Sequence, residues 1–99
     1  MATDFRTQLV TVPRGTGRRN IASSVTFGSR VNRAAVALNG YNMDYTREDH
    51  NINTVEVATD VVNISGNTVN FKVECLYGDK NFDDLYEGYI TALIIADVA

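Results

Sequence analysis

Apolar and polar residues alternate with a period of two along most of this chain. Between Asn53 and Tyr77, the residues Val55, Val57, Thr59 and Val61 share one face of an extended segment, while Thr54, Glu56, Ala58 and Asp60 share the other. That is the spacing of a half-buried strand. The turn-forming run Ile64-Ser65-Gly66-Asn67 interrupts it. The alternation then resumes with Val69, Phe71, Val73, Cys75 and Tyr77 inward and Asn70, Lys72 and Glu74 outward, which predicts a β-hairpin. Upstream, Phe5, Thr7 and Leu9 alternate with Arg6, Gln8 and Val10 to form a first strand. Residues 13–20, with one proline and two glycines, read as a loop. Residues 21–27 and 34–38 read as two further strands, and the polar stretch 39–53 as a long connection.

The last run, from Tyr86 to Ala96, is apolar on both faces for most of its length. A strand of that kind needs cover on both sides. One side is met by the core of the domain and the other by a neighbouring subunit, because a chain of this size has no third layer to offer. No segment carries a helical period. The expectation is an all-β fold, a six-stranded antiparallel β-sandwich spanning residues 1–99 as one domain. Its core is expected to hold Val55, Val57, Val69, Phe71, Val73 and Leu93, and its working form is expected to be a closed homo-oligomer, a trimer.

Composition narrows the function. Ninety-nine residues suit one soluble domain, and no run is long and apolar enough for a membrane span. The N-terminus lacks the features of a secretory signal, so the chain reads as cytoplasmic at synthesis, with later release or incorporation into a particle left open. One cysteine and one histidine allow neither an internal disulfide nor a His-rich metal cluster. Cys75, on the apolar face of its strand, reads as a small buried hydrophobe.

Charge is segregated along the sequence. Residues 1–43 hold six arginines against one acid, and residues 44–99 hold three basic groups against eleven acids. Solvated sheet faces account for this, and so does head-to-tail packing of a basic edge on an acidic one in a ring. The acidic total and the lack of aromatics among the arginines argue against nucleic acid.

Three constellations could carry chemistry. Arg14-Gly15-Thr16-Gly17-Arg18-Arg19 could grip an anion or a hydroxyl-rich ligand but lacks the spacing of a nucleotide loop. Asp79, Asn81 and Asp83 alternate as at the start of a calcium loop, but the loop glycine and the closing glutamate are missing, so this segment reads as a solvated acidic turn. Asp44, Glu48, Asp49 and His50 have no nucleophile to activate. Neither a cofactor nor an enzymatic activity is expected.

Taken in order, Val25-Thr26-Phe27-Gly28-Ser29, Ala35-Val36-Ala37-Leu38, Asn53-Thr54-Val55, the hairpin to Cys75 and the closing run Tyr86 to Ala96 resemble the H-type lectins, over most of residues 17–96. The resemblance implies a trimeric sandwich with carbohydrate sites in clefts between protomers. The family's Gly-Arg-Asp-Asn loop looks like Gly17-Arg18-Arg19-Asn20, with Arg19 in place of the acid. The family's arginine falls near Asn53 or Thr54, its Trp-His step falls near Gly78-Asp79, and its tyrosine is kept as Tyr86. The resemblance therefore points to Gly17, Arg18, Arg19, Asn53, Thr54, Asp79 and Tyr86 as the ligand-binding set, with a glycan as the ligand. The alternative is a structural trimeric sandwich, part of a virion or extracellular assembly, that has lost sugar binding. Tyr45, Tyr77 and Tyr86 discriminate: exposed together at a cleft they would favour the lectin, and buried they would favour the structural protein.

Overall fold

The computed structural model describes residues 2–46, 52, 54–78 and 85–99. Six strands run β1 (Ala2–Gly15), β2 (Arg19–Thr26), β3 (Val31–Tyr45), β4 (Thr54–Ser65), β5 (Thr68–Gly78) and β6 (Tyr86–Val98). They form two antiparallel sheets of three, ordered β1-β6-β3 and β2-β5-β4. The all-β reading therefore holds, and the predicted hairpin is β4–β5, closed at Gly66, whose φ of 61° is the left-handed turn conformation that glycine adopts without strain.

Strand bounds differ from the expectation most at two places. β1 continues through Pro13 to Gly15 by means of a register shift after Val12, so the first connection is only residues 16–18. An edge strand can carry a proline because the missing N–H faces no partner. β3 continues to Tyr45, so the first part of the expected polar connection, residues 39–45, is strand. Polar residues there occupy the exposed side of an edge strand, a location that composition does not separate from a loop.

The core lies between the sheets and is built by their central strands. Val69, Phe71, Val73 and Cys75 of β5 face Ile90, Ala92, Ile94 and Ala96 of β6, all essentially sealed from solvent. Val57, Val61 and Ile64 pack against this cluster from β4, as do Ala34 and Val36 from β3. Two expected core residues are elsewhere. Val55, near the start of edge strand β4, is 38% exposed, and Leu93 lies on the outer face of β6, because Ile90, Ala92 and Ile94 are the row that turns inward. In β1 the inward residues are Val10 and Val12, while Phe5 and Leu9 point out.

Specific hydrogen bonds tie separate parts of the sandwich together. Thr59 Oγ1 donates to the carbonyl of Val36 across the gap. The β2–β3 connection is tied to the β4–β5 turn by Phe27 N–H to the Asn67 carbonyl, Val31 N–H to the Gly66 carbonyl and Asn67 Nδ2 to the Phe27 carbonyl. In β6, Gly88 has a φ of 155°, a region that side chains avoid, and a Cβ there would collide with the Asn42 carbonyl of β3.

Candidate functional site

The antiparallel registers bring one end of the molecule together from distant sequence. Arg19 at the start of β2 pairs with Cys75, Thr54 at the start of β4 pairs with Gly78, and Tyr86 at the start of β6 pairs with both Tyr45 and Gly15. Of the seven expected ligand-binding residues, Gly17, Arg18, Arg19, Thr54 and Tyr86 therefore meet at this end. Asn53 and Asp79 lie outside the described residues, as do Glu48, Asp49, His50 and the Asp79–Asp83 segment.

Tyr86 is the centre of this end, and it is fully buried. Its hydroxyl donates to the carbonyl of Gly17 at 2.7 Å, with the Cys75 carbonyl at 3.4 Å and Cys75 Sγ at 3.7 Å. Gly17 makes this possible by turning with φ of 72°. Burial pushes the Tyr86 hydroxyl well above the ordinary tyrosine range, the hydrogen bond to Cys75 adds to the rise, and Arg19 and Arg18 oppose it. Arg19 stands over the ring, its Cζ 4.9 Å from the centroid, and one terminal nitrogen donates to the carbonyl of Pro13. Its guanidinium is thus engaged inside the chain, a cation resting on an aromatic face.

The other two tyrosines continue the plug. Tyr77 packs edge-on against Tyr45 at 5.0 Å between centroids and tilts against Tyr86 at 5.7 Å. Tyr45 and Tyr77 are 9% and 7% exposed. Burial first, then Asp44 and Tyr41, raise the Tyr77 hydroxyl above its usual range. Within one chain none of the three rings offers a face for a sugar.

Arg18 points the opposite way, into solvent. It meets Glu56 of β4 at 2.7 Å and approaches Glu74 of β5 at 3.9 Å, and Lys72 stands 3.7 Å from Glu74. The bond to Glu56 raises the Arg18 guanidinium further above its already high range. Beside this network, Ala58, Asp60, Lys72 and Glu74 line a shallow depression of about 120 Å³. The two glutamates were legible as outward positions of the alternation, but only the strand register shows that they meet Arg18.

Ion pairs also join the two halves of the charge segregation within one chain: Arg18 pairs with Glu56, and Arg33 with Asp97 at 3.6 Å. The topology sets every strand of the first half against the second: β1 and β3 on β6, β2 on β5.

Known families, curated proteins and solved structures give no match to this chain, so its own geometry has to carry the functional reading. Among the described residues no group of acidic, histidine and cysteine side chains is placed to hold a metal ion, and no helix is long and apolar enough to cross a membrane.

Proposed function

We propose that this chain is a trimeric structural sandwich of H-type lectin kind, a building block whose work is assembly. The observation that carries it is the outer face of the β1-β6-β3 sheet. Reading across the register, Phe5 lies beside Ile95 and Ala35, Thr7 beside Leu93 and Ala37, and Leu9 beside Thr91 and Gly40. Phe5 and Leu9 are 57% and 55% exposed, and Tyr89 extends the same surface. An apolar sheet face of this extent marks an interface.

The face is also graded: large side chains on the β1 flank, small ones on the β3 flank. Phe5 and Leu9 of one copy fit the hollow above Ala35, Ala37 and Gly40 of the next when copies are arranged around an axis parallel to the strands. At about 25 cal/mol per Å² the covered side chains contribute several kcal/mol per protomer, the scale that offsets lost freedom on association. Shape, rather than the charge split, supports the ring. Burial of Tyr45, Tyr77 and Tyr86 supports the structural reading over a sugar stacked on those rings. Sedimentation of the wild type at micromolar concentration tests this. A trimer is expected, a dimer would refute the number of copies, and a monomer would refute the assembly.

A second reading, glycan recognition, is favoured by the network of Arg18, Glu56, Glu74 and Lys72 beside the shallow depression. Paired donors and acceptors of this kind suit sugar hydroxyls without stacking. On a glycan array, retention by the wild type and loss in Arg18→Ala would establish it, and a blank array would leave the structural role.

A further inference from the structure

The free edge of β1 holds backbone groups that have been answered in an unusual way. Among the described residues β1 pairs only with β6, and its register from Ala2 to Val12 is unbroken. The edge strands β3 and β4 each carry a register shift within their paired length, and β2 has only eight residues. A long regular edge is an invitation to another strand. At Phe5 that invitation is closed by the neighbours on either side. Asp4 Oδ1 accepts the Phe5 N–H at 2.8 Å, Arg6 Nη1 donates to the Phe5 carbonyl at 2.9 Å, and the same Arg6 nitrogen meets Asp4 at 3.0 Å. Both Phe5 backbone groups thus point away from β6, and an ion-paired clip covers them. Arg6 is seated by Phe27, whose ring centroid lies 5.0 Å from its Cζ.

We propose that the β1 edge is a docking surface for the β1 edge of a second copy, held shut in the unpaired chain by the Asp4–Arg6 clip and opened by exchange of partners between two clips. Charge selects one antiparallel register. With Phe5 opposite the second copy's Phe5, each Arg6 faces the other copy's Asp4, and the two Phe5 residues exchange both backbone hydrogen bonds. Thr3 then pairs with Thr7 on either side, again through groups on the free edge. Shifting the centre to Arg6 sets Arg6 against Arg6, and shifting it to Thr7 leaves Asp4 and Arg6 facing Val10 and Gln8. Every bond of the clip is replaced in kind only in the first register. The contact uses the backbone of β1 where the proposed ring uses side chains of the outer face, so it does not rest on the trimer.

Charge reversal tests it. Wild-type protein at submillimolar concentration is expected to show a species of twice the mass of its basal unit if that unit is a monomer, and linked rings of twice the mass or more if it is a trimer, because each ring offers three β1 edges. D4R places two arginines and R6D two aspartates at the paired positions, so each variant alone is expected to lose the linked species. An equimolar mixture is expected to recover it, because both arginines of the D4R chain then face aspartates of the R6D chain. No linked species in the wild type, a linked species that persists in either variant, or a mixture that fails to recover it would overturn the proposal. If a variant does not fold, as judged by circular dichroism, mild oxidation of F5C decides. Disulfide-linked dimers are expected from F5C but not from T7C, whose two thiols would lie about 13 Å apart in this register, beyond disulfide reach. Linkage through T7C, or none through F5C, would overturn the register.

Discussion

Strands β5 and β6 occupy the same place in their sheets, and the contrast between them explains most of the molecule. Each is central, pairs antiparallel with two neighbours and sends a sealed row into the core, Val69 to Cys75 from one and Ile90 to Ala96 from the other. Outward they part. β5 shows Asn70, Lys72 and Glu74, set among Asn20, Ala22, Asp60 and Asn63, with Asn70 bonded to Asn63 and Lys72 to Glu74. β6 shows Tyr89, Thr91, Leu93 and Ile95, set among Phe5, Leu9, Ala35 and Ala37. Equivalent burial inside with opposite chemistry outside means that stability is shared between the sheets, while the association proposed above would belong to one of them.

Breaking the shared part has the largest effect. Phe71→Ala, in the middle of the core, should cost about 3 to 5 kcal/mol through lost contacts and a cavity, read from denaturant unfolding. A loss under about 1 kcal/mol would contradict the tight packing of β5 on β6. Gly88→Ala should cost about 1 to 3 kcal/mol, because an alanine must take up a glycine backbone conformation and displace the Asn42 carbonyl. A thermal melt unchanged from wild type would show that β6 can re-form there.

The unshared part separates the two sheets directly. Leu93→Glu should raise the dissociation constant of the oligomer at least about tenfold, equivalent to about 1.4 kcal/mol, with little loss of protomer stability. Lys72→Leu, at the matching place on β5, should leave association as it was. If both variants sediment alike, the two outer faces do not differ in the way their composition indicates.

A smaller effect is expected at the tyrosine plug. Tyr86→Phe removes the bond to Gly17 and should cost about 1 kcal/mol. It also bears on alkaline stability. Burial keeps the Tyr86 and Tyr77 hydroxyls protonated above the pH at which they ionise in the unfolded chain, about 10. Stability is therefore fully present below about pH 10 and falls as pH rises beyond it. Tyr86→Phe should flatten that fall, measured as unfolding midpoint against pH.

Alternation by itself determined the all-β fold, the β4–β5 hairpin and the inward row of Val69, Phe71 and Val73, because a strand with one wet face must separate its side chains by parity. It also determined that β6 is apolar on both of its faces. Parity could not say which row of β6 turns inward, since both rows are apolar; packing chose Ile90, Ala92 and Ile94, and Leu93 was left outside. Nor could it show that Phe5 and Leu9 point out, because Val10 and Val12 compete with them for the same core and edge-strand sides are settled by the neighbouring sheet. At the candidate site, sequence order and resemblance named residues that do gather at one end, yet their roles came from the tertiary arrangement. Arg19 and Tyr86 are turned inward as a plug, Arg18 is turned outward to Glu56 and Glu74, and strands from the basic and acidic halves lie side by side. Orientation and partnership depend on contacts between residues far apart in sequence, which a local period does not encode.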